Sequence, residues 1–158
     1  MTGENGATSI PDVWLKFDDN SQAFQECKYA SDIDEASSKK DERAIKQVSL
    51  QVTWCQTHGF KHILRTEKEI RANPILLDNY RDMHAYIRNH LHPVETDLRI
   101  VDGQITPTGS SLRQLQQILS DLSKTAISEA VVWLIALGRV RSNVDRVPFG
   151  PKTEVWKR

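Results

Sequence analysis

Cysteine is nearly missing from this sequence. Cys27 and Cys55 are the only two in 158 residues, and they have no metal-ligand spacing. Both are expected as reduced thiols in a cytoplasmic protein, not as part of a disulfide framework. Long apolar runs are missing as well. The longest, Ala130-Val131-Val132-Trp133-Leu134-Ile135-Ala136-Leu137, falls short of the roughly 18 residues that mark a membrane span. It reads as a buried helix, and no membrane partner is expected. The opening MTGENGATSIPD has no basic patch followed by an apolar stretch, so no secretory signal is expected. Net charge is absent: 21 basic residues balance 21 acidic ones. That argues against a protein that coats nucleic acid non-specifically, although DNA binding depends on local fields, not on the total. Internal repeats are absent too.

What is present fits one soluble globular domain or two small ones. Hydrophobic residues make up 39% and charged residues 27%, enough of each for a core and a solvated surface. The charge is unevenly spread. From Arg139 onward six basic residues (Arg139, Arg141, Arg146, Lys152, Lys157, Arg158) face two acids, Asp145 and Glu154.

Residues 1–10 are polar and rich in Gly, Ser and Thr. Asp12 to Phe17 then alternates, with Val13, Leu15 and Phe17 on one face, which predicts a strand. Asp18-Asp19-Asn20-Ser21 is turn chemistry, so residues 12–30 read as a hairpin. Ser37 or Ser38 is a plausible cap for a helix over about 39–57. Its predicted buried stripe is Ile45, Val48, Val52 and Cys55, and Gly59 ends it. Phe60 to Arg65 predicts a short strand crossing back into the same sheet. Thr66 with Glu69 makes a capping-box pattern, and another helix is expected over about 75–90. Residues 92–109 hold two prolines and two glycines and read as a linker, with a small hairpin around Asp102-Gly103. The last stretch predicts helices near 110–121 and 125–137, then strands at Arg139–Val144 and Thr153–Lys157. Helices followed by a two-stranded ribbon outline a winged helix.

Chemistry gathers at one place. Pro11-Asp12 is followed, after thirteen intervening residues, by Glu26-Cys27-Lys28. The period of two puts Glu26 and Lys28 on one face of their strand, and Asp12 opens the neighbouring strand. Two carboxylates form a hard oxygen site suited to Mg²⁺ or Mn²⁺, which activates water and stabilises charge on phosphate. The backbone carbonyl of Cys27 can add a further ligand. The Lys28 ammonium would orient the nucleophile or neutralise developing charge. A solvated strand with Glu and Lys two apart is the plain alternative.

At this point the sequence resembles a known family. Pro11-Asp12, Gln25-Glu26-Cys27-Lys28-Tyr29, Lys39-Lys40-Asp41-Glu42-Arg43 and the stretch from Gly59 to Ile70 resemble the core of PD-(D/E)xK nucleases, and within them the TnsA-type transposon endonucleases. The segment from Ala130 to Val140, with Asp145 and Thr153-Glu154-Val155, is similar to the tail domain of many such proteins. The resemblance implies an α/β, restriction-endonuclease-like mixed sheet with flanking helices over residues 1–91. A winged-helix-like domain would follow over 110–158. It implies a Mg²⁺-dependent endodeoxyribonuclease cutting transposon ends beside a DDE-type transposase and an AAA+ ATPase. Asp12 and Glu26 would be metal ligands and Lys28 the catalytic lysine. In TnsA itself a glutamine takes the place of the second acid, and here that position is Glu26. The family core begins with a helix carrying another glutamate, tens of residues before its Pro-Asp. Only ten residues precede Pro11 here, and Glu4 is in the wrong context to substitute.

Other residues are weighed beside this site. Gln47 and Gln51 lie one turn apart on the long helix, where related nucleases place a Gln or Lys near the phosphate. Their spacing reads more simply as a solvated face. Lys39 and Lys40 are candidates for DNA backbone contact, as are Arg139, Arg141 and Arg146 on or beside the wing. The helix over 125–137 is apolar and a poor reader of base edges. The pairs His58/His62 and His90/His92 have no firm metal geometry. Ser110 and Ser111 read as caps, and Trp133, Leu134 and Leu137 as core. Two alternatives stand beside the nuclease: a non-catalytic DNA-binding or assembly subunit of nuclease-like fold, and a nuclease of restriction, repair or phage packaging. Homo-oligomerisation is open.

Overall fold

Asn20 turns the first hairpin. It takes a left-handed conformation, with φ of 62°, which asparagine tolerates better than most residues. The Asp19 carboxylate accepts from the Ser21 N–H at 2.9 Å, closing the turn. In this computed structural model, which describes residues 1–2, 6–89 and 94–158, that turn joins β1 (Val13–Lys16) to β2 (Gln22–Lys28). The strands pair antiparallel, with Val13 opposite Gln25 and Lys16 opposite Gln22.

Helix α1 (Ala30–Ile33) is a single turn. Helix α2 (Glu42–Thr57) starts where the Asp41 side chain accepts from the Arg43 N–H. The cap is therefore Asp41, not Ser37 or Ser38. Beyond Gly59, which has φ of 74°, strand β3 (Lys61–Thr66) returns parallel to β2, and the sheet order is β1-β2-β3. The expected crossover is thus present. Its helix is rotated from the predicted stripe. The buried residues of α2 are Ala44, Gln51 and Cys55, while Ile45, Val48 and Val52 are only half-buried. Apolar patterning skips a glutamine, and here the glutamine faces inward. The outer part of this interior is aromatic. Phe24 packs edge-on against Trp54 and Phe60, with ring centroids 5.9 and 5.3 Å away. The predicted capping box of Thr66 and Glu69 opens α3 (Glu67–Ile70).

The chain divides into two compact units, Met1–Ala72 and Asn73–Arg158. The second contains α4 (Pro74–Asn89), α5 (Glu95–Gln104), β4 (Ser110–Ser111), α6 (Leu112–Ile118), α7 (Lys124–Ala136), β5 (Val140–Ser142) and β6 (Glu154–Lys157). Two expectations are corrected. The boundary does not fall after residue 91, because α4 belongs to the second unit. The buried Asn79 donates to the Val144 and Val147 carbonyls and accepts from the Phe149 N–H, each at 2.7 Å. Nor is 92–109 a linker with a hairpin at Asp102-Gly103, since that pair lies within α5. Leu98, Val101 and Ile105 recur at helical spacing and are buried, while Pro107 lies beyond the helix. The start of that stretch, and Glu4, His90 and His92, fall outside the described residues.

The core of the second unit joins Leu98 and Val101 to Leu112, Leu115, Ile127, Val131, Leu134, Val140 and Val155. Trp133 packs against it, whereas Leu137 is about half exposed and not part of the core. Its small sheet has the order β4-β6-β5, antiparallel throughout. Ser111 caps α6, as expected. The architecture is mixed α/β with small sheets. No described helix is long and apolar enough to cross a membrane.

Candidate active site

Asp12 stands immediately before β1. One further step of the ladder would bring Pro11 opposite Cys27, and proline has no N–H to offer. The Asp12 carboxylate takes over: Oδ2 accepts from the Cys27 N–H at 2.8 Å. In an antiparallel ladder the N–H and C=O of one residue face the same side. The Cys27 carbonyl therefore faces the edge where Asp12 sits.

Glu26 points the other way from the Cys27 side chain, onto the face covered by α2, and is 1% exposed. Buried charge is costly unless it is paired and hydrogen-bonded, and Glu26 is both. Lys28 Nζ lies 2.7 Å from Oε1. Gln47 Nε2 donates to Oε1 and Gln51 Nε2 to Oε2, both at 2.9 Å.

The carboxylate also orders what lies behind it. An ionised carboxylate only accepts, so Gln51 must turn its amide nitrogen toward Glu26. The second N–H of that amide goes to Ser9 Oγ at 2.9 Å, and its Oε1 faces His62 Nε2 at 2.9 Å. His62 must then carry its proton on Nε2. Burial pushes the imidazole below its ordinary value, against the pull of the Glu26 charge, so His62 is neutral at neutral pH. Lys28 behaves oppositely. Its hydrogen bond to Glu26 holds the ammonium above the ordinary lysine value, and the charges of Glu26, Asp12 and Asp41 act in the same direction against burial. Lys28 is a fixed cation at neutral pH and cannot serve as a general base.

Structure thus brings Asp12, Glu26 and Lys28 together on one hairpin. It also adds residues that the spacing did not assign: Ser9, Gln47, Gln51 and His62. Reading Gln47 and Gln51 as a solvated face is corrected. The available signal was a glutamine inside the apolar face of an amphipathic helix, in line with Ala44 and Cys55.

The other candidates lie apart. Lys39 and Lys40 are exposed in the turn before α2, not at its first residues. In the second unit Arg139 precedes β5, Arg141 is within it, and Arg146 lies beyond it. All three are exposed, and Arg146 pairs with Asp145 at 3.4 Å. Lys157, another of the terminal basic residues, is bound to Asp102. His58 stacks on Trp54, and its Nδ1 meets the Trp54 carbonyl at 2.8 Å, which accounts for it without a metal.

Beside Lys28 opens a hollow of about 370 Å³ lined by Cys27, Tyr29, Asp32, Glu67, Ile70 and Arg71. A larger groove of about 920 Å³ runs behind Gln47, with Thr2, Ala7, Thr8 and Ser9 on one side and α2 on the other. No protein-family model, curated protein or solved structure matches this chain.

Among the described residues, no three His, Cys, Asp or Glu side chains gather as a metal cluster. Oxygen donors are nonetheless present. Among the described residues, Asp12 Oδ1 has no hydrogen bond and Glu26 Oε2 accepts only from Gln51, and the Cys27 carbonyl faces the Asp12 edge. Such an all-oxygen set fits a hard divalent cation.

Proposed function

We propose that this protein is a metal-dependent DNA endonuclease of the TnsA type, cutting phosphodiester bonds at transposon ends beside a DDE-type transposase and an AAA+ ATPase. The observation that carries the reading is Lys28 Nζ at 2.7 Å from the buried Glu26, on a hairpin whose other strand starts just after Asp12. In this reading β1, β2, α2 and β3 form the restriction-endonuclease-like core, and α6, α7, β5 and β6 the winged-helix-like part.

Asp12, Glu26 and the Cys27 carbonyl would hold Mg²⁺ or Mn²⁺, which when bound supplies water activation and charge neutralisation on the phosphate. The rest is done by the chain. Lys28 keeps its proton and sets a positive charge against the developing phosphorane oxygens. Gln47 and Gln51 fix the rotamer of Glu26. Lys39 and Lys40, with Arg139 and Arg141, would contact DNA backbone.

One observation favours a second reading, a non-catalytic DNA-binding or assembly subunit. Three donors already occupy Glu26, so the carboxylate is satisfied as it stands. Supercoiled plasmid incubated with Mg²⁺ or Mn²⁺, with and without the partner transposase, separates the two. Nicking that Lys28→Ala abolishes supports the enzyme. DNA binding without nicking in every condition rejects it in favour of the assembly subunit.

A further inference from the structure

β1 is the outer strand of its sheet, and no described strand pairs with its far side. The ladder shows which groups face outward. Cys27 directs its N–H toward β1, and the Phe17 N–H donates to the Ser21 carbonyl. Val13, Leu15 and Phe17 therefore turn their backbone groups toward β2, while Asp12, Trp14 and Lys16 present theirs to the open edge. The side chains there are exposed too. Trp14 is 56% exposed, with its indole N–H on Gln22 Oε1 at 3.0 Å, and Asp12, Lys16 and Val13 are exposed beside it.

This segment is complementary to itself. Laid antiparallel about Trp14, it puts Asp12 opposite Lys16 of a second copy, and Lys16 opposite Asp12. Trp14 meets Trp14, and Val13 meets Leu15. Every position with outward backbone groups then faces another such position. Shifted two residues one way, the ladder would oppose Asp12 to Asp18, like charge against like; shifted the other way, it would set Asp12 against Trp14 and Lys16 against Ile10, with neither ion pair formed, so the charges favour the alignment about Trp14.

We propose that β1 is a two-fold docking edge for a second copy of this chain, joining two three-stranded sheets into one of six strands. A lysine on an open edge ordinarily blocks edge-to-edge pairing. Here Asp12 of the other copy answers Lys16, and the same charge becomes a register key. Two-fold contacts are self-complementary by construction, and a ladder this short gives a reversible dimer. The inference shares Asp12 with the proposed metal site, Oδ2 being already taken by the Cys27 N–H, but sedimentation reads mass and not cleavage, so the two readings fail separately.

Sedimentation of the full chain over a concentration series is expected to show a monomer–dimer equilibrium. Lys16→Glu opposes like charges at both ends of the ladder and is expected to weaken the dimer roughly tenfold or more. Asp12→Lys is expected to do the same, and mixing the two variants restores a dimer, since each then answers the other. A wild-type chain that stays monomeric, or a dimer indifferent to Lys16→Glu, overturns the proposal. Trp14→Cys in a Cys27→Ser background gives a check that needs no charge change, because the remaining Cys55 is buried. Oxidation is expected to cross-link it through position 14, whereas Phe17→Cys in the same background is not. Absence of the position-14 cross-link overturns the two-fold register.

Discussion

Gln51 donates from Nε2 to Oε2 of Glu26 at 2.9 Å, and both side chains are essentially withdrawn from solvent. Replacing Gln51 with leucine keeps its bulk and removes every bond it makes. Glu26, Ser9 and His62 would each lose a partner. The expected cost is about 2–4 kcal/mol, read from urea unfolding of the whole chain. A loss within a few tenths of a kcal/mol of zero would mean that Gln51 is not the linchpin of the network.

Lys28→Met is expected to cost about 2 kcal/mol, because it leaves the Glu26 carboxylate buried beside no cation. The double variant Glu26→Gln/Lys28→Met removes both charges and is expected to recover most of that loss. A double-mutant cycle in unfolding free energy measures the coupling. In the plasmid assay both variants are expected to be inactive, so stability and cleavage separate cleanly.

Two groups of the Glu26 network contribute to the pH dependence of stability. The His62 imidazole titrates below its ordinary 6.5 when folded, so the unfolded chain takes up that proton first as pH falls. Stability is therefore expected to drop below pH 6.5 and to level off once the folded imidazole is also protonated. Lys28 titrates above its ordinary 10.5 when folded. Its contribution is full below 10.5 and lost as pH rises through the folded value. His62→Gln is expected to lessen the acid-side loss, and Lys28→Met the alkaline one, in thermal melts across pH.

Lys39→Ala/Lys40→Ala is expected to weaken DNA binding and to lower the slope of log affinity against log salt by about two, if each lysine contacts one phosphate. Arg139→Ala/Arg141→Ala is expected to act similarly. Fluorescence anisotropy with a labelled duplex over a salt series reads both. Unchanged slopes would remove these residues from the DNA-binding surface.

Asn79→Ala in α4 breaks three bonds to the segment Val144–Phe149. The stranded carbonyls and N–H are expected to cost about 2–4 kcal/mol, measured by chemical denaturation. The defect belongs to the second unit and is not expected to alter the Glu26 network.

Alternation and spacing made the hairpin, the crossover helix and the parallel strand legible, along with Asp12, Glu26 and Lys28 on one hairpin. Those signals are local: a period of two, a run of turn residues, a capping box. The surroundings of Glu26 were harder to read. Gln51 looks polar in a helix whose apolar pattern points to burial of Ile45 and Val52, and only the carboxylate across the interior explains why the helix rotates toward it. Asn79 hid the unit boundary for the same reason. A mid-helix asparagine gives no sign that its partners lie some seventy residues onward. Helix α5 was obscured by Asp102-Gly103, a turn pair that three well-spaced aliphatic side chains overrule.

The parallel pairing of β2 with β3 carries a consequence for the order of folding. A hairpin closes by itself on a microsecond scale, whereas parallel strands need the intervening helix in place before they can meet. Asp12, Glu26 and Lys28 are therefore expected to come into register while still hydrated, with Glu26 losing its water only when α2 docks. Trp54, which packs on Phe24 from that helix, should report this slower step by fluorescence during refolding, with the acid and the amine already side by side.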